Sequence, residues 1–195
     1  MMSEHGIKHS RSQGAVDFAY RFAKEAHGDQ LRKYTNEPYI THPVAVAHMV
    51  AKVTEDVDMI CAALMHDVIE DTDRTFEDIR DAGFGYRCAS LVRQVSDVSK
   101  PEDGNRAKRK EKDRLHLAIA SPEAKTIKLA DLIHNSASIT KHDPGFAEIY
   151  MGEKLDLLHV LTEGDQTLWK KAFDIVYDYY SDNPEIALIF PKEGL

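Results

Sequence analysis

The sequence predicts an all-α fold in a single domain. Three observations carry that reading. Apolar residues recur at three- and four-residue steps through most of the chain. No stretch shows the strict alternation of a half-buried strand. Ser, Asn, Pro and Gly stand where helices would start and stop. With 195 residues the chain can bury one sizeable core.

Taken in order, residues 1–12 read as a loose polar tail and the domain as residues 13–182. Ala15, Phe18, Ala19, Phe22, Ala23 and Ala26 form the apolar stripe of a first helix ending near Gly28. Asp29 to Thr41 is a loop broken by Asn36 and Pro38. His42-Pro43 opens a second helix, with His42 held at its cap and Val44, Val46, Ala47, Met49, Val50 and Val53 behind it. A central helix is expected from about Asp58 to Glu70. A short helix from Thr75 to Gly83 and another from Tyr86 to Val98 follow. Arg106 to Arg114 is a basic run, six Lys or Arg against Glu111 and Asp113. Ser121-Pro122-Glu123 starts a long helix with Ile127, Leu129, Ala130, Leu132 and Ile133 on its apolar side. Helices near Phe146–Leu161 and Asp165–Tyr180 complete the domain. Residues 183–195 form a tail whose Ile186 to Phe190 run packs on the body.

Composition excludes several classes of function. The chain is 43% hydrophobic and 30% charged, as soluble globular domains are. No apolar run reaches membrane-spanning length and the first residues lack a signal-peptide core. The net charge of −8 argues against nucleic-acid or anionic-membrane partners, so an anionic substrate would need a local basic patch. Cys61 and Cys88 both sit in apolar helical contexts and are expected as buried free thiols of a cytoplasmic protein. A homo-oligomer is compatible with this composition.

The chemistry concentrates in Leu64-Met65-His66-Asp67-Val68-Ile69-Glu70-Asp71. Helical spacing pairs His66 with Glu70 and Asp67 with Asp71. Acids at a helix end are ordinarily just solvated, which suffices for Asp71, Thr72 and Asp73. It does not suffice for His66 and Asp67, which follow Leu64 and Met65 directly, because a buried unpaired carboxylate is too costly to keep. Two like charges about 5 Å apart repel by about 3 kcal/mol at an effective dielectric near 20. A divalent cation removes that conflict. Further ligands must lie at helix starts or on apolar helix faces, and His42 and Asp131 do so. A cap histidine and a salt bridge from Asp131 to Lys128 are the bland explanations of each alone. Two histidines and two aspartates suit manganese, iron or zinc.

These residues also carry a resemblance. His42, His66-Asp67 and Asp131 stand in the order of HD-domain phosphohydrolases. The set Arg32-Lys33, Pro38-Tyr39-Ile40-Thr41-His42-Pro43, His66-Asp67-Val68-Ile69-Glu70-Asp71-Thr72 and Lys128-Leu129-Ala130-Asp131 with Asn135 closely resembles the hydrolase domain of RelA/SpoT homologues. It is most similar to the stand-alone Mesh-type small alarmone hydrolases. The resemblance runs from the first helix to at least Asn135 and implies an HD-type helical bundle. It implies one manganese ion and removal of pyrophosphate from the 3′ position of (p)ppGpp. His42, His66, Asp67 and Asp131 would then be the metal ligands, and Glu70 and Asp71 would position or deprotonate the attacking water. Arg32 and Lys33 would hold phosphates, and Asn135 would touch the substrate near its ribose. Apart from the resemblance, the basic run has two readings: a rim for the distal phosphates, with Arg109 and Lys112 as its candidates, or an exposed helix with compensating acids.

The chain departs from relatives in three places. Asn36 replaces a glycine and tolerates the same turn geometry. Ser-Ala-Ser follows Asn135 where an arginine is common. Tyr150 and Lys154 replace the arginine and tyrosine expected around the nucleotide. Two readings compete with an alarmone hydrolase: an HD phosphohydrolase of another nucleotide, such as NADPH or a deoxynucleotide, and a non-catalytic nucleotide-binding module. Glu70 and Asp71 count against the latter, since structural metal binding requires neither. His27, His134 and His159 are open to two readings, partners that orient the metal ligands or packing residues, with packing the default.

Overall fold

A computed structural model describes residues 4–187. Among them lie α1 (Glu4–His27), α2 (Thr41–Val50), α3 (Val57–Leu64), α4 (Val68–Asp71), α5 (Phe76–Ile79), α6 (Gly85–Val95), α7 (Arg106–Ala118), α8 (Pro122–His142), α9 (Pro144–Val160), α10 (Gln166–Asp182) and α11 (Pro184–Ala187). The only β feature among the described residues is an isolated bridge between Leu31 and Pro38. None of their helices is long and apolar enough to cross a membrane.

Local chemistry sets most of these boundaries. Asp56 accepts from Asp58 N–H and Met59 N–H and starts α3. Asn105, Ser121, Asp143 and Asp165 cap α7, α8, α9 and α10 in the same way, with proline in the first turn of α8 and α9. Gly28, at φ 52°, ends α1 in the left-handed geometry a side chain resists. Asn36 takes φ 55°, the turn geometry expected of it.

Helix α8 is the axis of the fold. It packs against α2, α3, α6, α9 and α10, and Ile127, Leu129, Leu132 and Ile133 are buried there. Helix α3 lies against α1, α2 and α6, so Cys61, Ala62, Ala63 and Leu64 join the same core. Cys61 and Cys88 are buried free thiols.

Four expectations are corrected. The central helix is not continuous from Asp58 to Glu70: α3 stops at Leu64 and α4 starts at Val68. The reason is local. The Ala63 carbonyl, which would continue the helix, accepts from His66 Nδ1 at 2.8 Å. His42 is not the cap of α2, because that helix begins at Thr41 with Ile40 as its cap, and His42 points inward from the first turn. The backbone from Glu4 onward is already helical, where a loose tail was expected. The basic face of α7 has a different register from the one expected, as described below. Packing of Ile186 to Phe190 lies outside the residues whose side chains are described.

Candidate metal centre and active-site cavity

The helix break delivers His66 and Asp67 together into the interior. His42 comes from the first turn of α2 and Asp131 from the middle of α8. All four are buried. His66 Nε2 lies 3.1 Å from Asp67 Oδ2, 3.2 Å from His42 Nε2 and 3.7 Å from Asp131 Oδ1. His42 Nε2 lies 3.2 Å from Asp131 Oδ1 and 3.4 Å from Asp67 Oδ2. Ligand atoms held about 2.0–2.2 Å from one cation at ordinary angles stand roughly 2.8–3.6 Å apart. His42, His66 and Asp67 form a cluster of metal-binding type that fits a single divalent cation, and Asp131 Oδ1 stands beside its two histidines.

The electrostatics point the same way. Burial alone would depress His66, but the Asp67 and Asp131 charges override it and raise its pKa to about 10. Burial would raise both aspartates. The His66 charge overrides it for Asp67, the Lys128 charge for Asp131, and both carboxyls stay below the usual range. The two aspartate charges thus favour positive charge between these groups.

Around this cage sits a ring of orienting groups. His42 Nδ1 is 2.8 Å from His134 Nδ1, so His134 does more than pack. Asn135 Nδ2 donates to Asp131 Oδ1 at 2.6 Å, and Arg32 Nη2 donates to Asn135 Oδ1 at 2.8 Å. Tyr39 Oη lies 2.7 Å from both Asp67 Oδ2 and Asp71 Oδ2, sharing one proton between them. Its ring stacks on His27 with centroids 4.5 Å apart. His159 is exposed on α9, away from these groups.

A cavity of about 580 Å³ opens from the cage. Asp67, Glu70, Asp71, Asp131 and Asn135 line it together with Arg106, Lys110, Arg114, Lys128 and Lys154, most of these cations paired with acids such as Glu153, Asp97, Glu111 and Asp131. Glu70 stands at the mouth and accepts from Asp97 N–H at 3.0 Å. Protein atoms crowding its carboxyl raise its pKa to about 7, against the pull of Lys128 and with help from Asp97 and Asp67. Burial, then the charge of Lys128, brings the Lys154 amine down to about 8.

The structure does not bring all the expected substrate residues here. Lys33 is 75% exposed and pairs with Tyr34 and Asp143. Lys112 pairs with Asp103 on the outside, and Arg109 lies off the cavity. The reason is register: residues 106, 110, 113, 114 and 117 share the inner face of α7, and 109 and 112 do not. Tyr150 is buried with the Lys154 ammonium 4.5 Å from its ring centroid, and it does not line the cavity. Sequence reasoning missed Tyr39 and Lys110; it named Lys128 as the salt-bridge partner of Asp131, which the structure shows at 3.0 Å, and left His134 between orienting a ligand and packing. The four-residue spacing of Arg106, Lys110 and Arg114 could have located that face; His134 carried no comparable signal.

A helical bundle that closes two histidines and two aspartates round one point, with His-Asp in a helix break, defines a class. The family model described as HD domain matches residues 19–157, and the chain belongs to that family. Among curated proteins it is similar to the bifunctional (p)ppGpp synthase/hydrolase SpoT of Escherichia coli strain K12. The two are 34% identical over 175 residues, covering 81% of this chain and 25% of that one. It is 39% identical over 127 residues to the guanosine-3′,5′-bis(diphosphate) 3′-pyrophosphohydrolase MESH1 of Danio rerio, covering 63% of this chain and 68% of that one. The guanosine-3′,5′-bis(diphosphate) 3′-pyrophosphohydrolase of Aquifex aeolicus is 41% identical over 120 residues, 62% of this chain. The chain spans 17% and 25% of the Aquifex and E. coli proteins' lengths. A solved structure described as a metazoan ortholog of SpoT that hydrolyzes ppGpp superposes with TM-score 0.76 at 27% identity. That match covers 85% of this chain and 95% of the other.

Proposed function

We propose that this chain is a manganese-dependent pyrophosphohydrolase that removes the 3′-diphosphate of (p)ppGpp, with residues 13–182 as its catalytic domain. One observation carries the reading: the His42–His66–Asp67 cluster, with Asp131 beside it, adjoins a cavity lined by the Glu70–Asp71 carboxylate pair and five Lys or Arg side chains. The names of its relatives supply the substrate.

In this reading His42, His66, Asp67 and Asp131 hold the cation. When bound, it supplies Lewis-acid polarisation and a nucleophilic water at neutral pH. Asp71, oriented by Tyr39, takes the proton of the attacking water. Glu70, near pH 7 half protonated, returns a proton to the departing ribose 3′ oxygen as its bond to phosphorus breaks. Lys110, Lys128 and Lys154 offset the phosphate charge, and Arg106 and Arg114, forked here onto Glu153 and Glu111, add positive charge around them. Arg32 acts through Asn135, which faces the ribose. Incubation with ppGpp and Mn²⁺, resolved by ion exchange, is expected to give GDP and pyrophosphate in equal amounts. Orthophosphate as the product, or turnover only of another nucleotide, would replace this reading.

The proton held by His66 gives a second expectation. Its pKa near 10 means that it is protonated at neutral pH, and a cation must expel that proton to bind Nε2. Lower pH therefore weakens binding, and the affinity for Mn²⁺ rises about tenfold per pH unit between pH 6 and 9. Calorimetry in buffers of different ionisation enthalpy should show about one proton released per ion. Binding that is flat with pH and releases none would contradict this assignment.

A further inference from the structure

The contact between His42 and His134 is unusual because either ring could be the donor. The two Nδ1 atoms are 2.8 Å apart, so one proton lies between them. If His134 owns it, His42 must carry its own proton on Nε2, the atom that faces the cage. If His42 owns it, Nε2 presents a lone pair. His66 has no such choice. Its Nδ1 faces the Ala63 carbonyl, which can only accept, so backbone alone fixes that ring. The two histidines of the cage are therefore oriented by different means, one by main chain and one by a side chain that can fail.

We infer that His134 is a positioning residue: as the hydrogen-bond acceptor for His42 Nδ1–H, it fixes the tautomer of His42 and leaves Nε2 ready for the cation. This rests on the cation cage described above. The placement supports it. His134 sits three residues after Asp131 on α8, so the same helix that supplies one ligand also orients another. The ring centroids of His42 and His134 are 4.9 Å apart and tilted by 38°, which keeps the two Nδ1 atoms facing each other. His42 is 1% exposed, so its Nδ1 relies on an acceptor from the half-buried His134. Outer hydrogen-bond partners of this type commonly tune metal affinity by about 10- to 100-fold.

The test uses the full chain, stripped of metal, with its histidine rings labelled with ¹⁵N. Long-range ¹H–¹⁵N correlation reads each tautomer directly. The wild-type protein is expected to show His42 protonated at Nδ1 before any cation is added; a proton on Nε2 overturns the inference. Mn²⁺ alone is then titrated into His134→Leu and His134→Asn. Leu removes the acceptor, and its affinity should fall about 10- to 100-fold with His42 in mixed tautomers. Asn places an oxygen near the former Nδ1 and should stay within about threefold of wild type. Leu at wild-type affinity overturns the inference and leaves the cage standing, whereas no Mn²⁺ uptake by the wild type removes both. If the Leu variant fails to fold, the wild-type spectrum and the Asn variant decide.

Discussion

Asp131→Asn is expected to lower kcat/KM for Mn²⁺-dependent ppGpp hydrolysis by on the order of 10³-fold, equivalent to about 4 kcal/mol of transition-state stabilisation. The argument is one of position. Asp131 Oδ1 is 3.2 Å from His42 Nε2 and 3.7 Å from His66 Nε2, while Oδ2 pairs with Lys128 Nζ at 3.0 Å. One carboxylate thus closes the cage and neutralises a buried ammonium. The amide keeps the shape and removes the charge, so the cation loses a ligand and Lys128 loses its nearest counter-ion. Lys128 remains within the field of Asp97, Glu70 and Asp67, which should keep the variant folded. Binding of Mn²⁺ should weaken at least 100-fold, with partial recovery of rate at high Mn²⁺. The measurements are Mn²⁺ calorimetry and steady-state kinetics on protein with a wild-type circular dichroism spectrum. Activity within tenfold of wild type would remove Asp131 from the cage.

The fold was legible because its signals are local. The cap at Ser121, the start at Asp165 and the glycine after α1 mark boundaries that short-range hydrogen bonds decide. The cage was legible for a different reason: a buried His-Asp pair after Leu64-Met65 needs a partner, and few residues could supply one. The break at Met65–Asp67 was not legible. A helical period through 58–70 fits equally well, and only the choice of His66 to bond Ala63 O ends it. The far wall depends on which face of α7 turns inward, and packing against α9 decides that. Arg106 forms its ion pair with Glu153 across this boundary, and Lys110 reaches Asp97. Such long-range pairings leave no trace in local spacing, so Arg109 and Lys112 were chosen in place of their inward neighbours. Tyr39 was visible within its motif, but its role depends on two carboxylates 28 and 32 positions away.

The double substitution Glu70→Gln with Asp71→Asn is expected to separate cation binding from turnover. Neither residue belongs to the cage. Asp71 is one phenol removed from it, through the proton that Tyr39 shares between Asp71 and Asp67. Glu70 is anchored by the Asp97 amide on the cavity side. Both amides preserve volume, so Mn²⁺ should bind within about threefold of wild type while kcat falls by roughly 10³- to 10⁴-fold, the scale of losing general acid–base transfer. The single variants should distinguish the two roles. Asp71→Asn removes the acceptor for the first proton and should slow the reaction at every pH. Glu70 is protonated below about pH 7 and ionised above it, so as the proton donor it imposes a fall in kcat on the alkaline side. At saturating Mn²⁺ that fall should vanish in Glu70→Gln. Rapid-quench kinetics across pH 5.5–9, alongside Mn²⁺ titration of each variant, measures both. A double variant with wild-type turnover would move acid–base chemistry off these carboxylates, and one that no longer holds Mn²⁺ would place them in the cage instead.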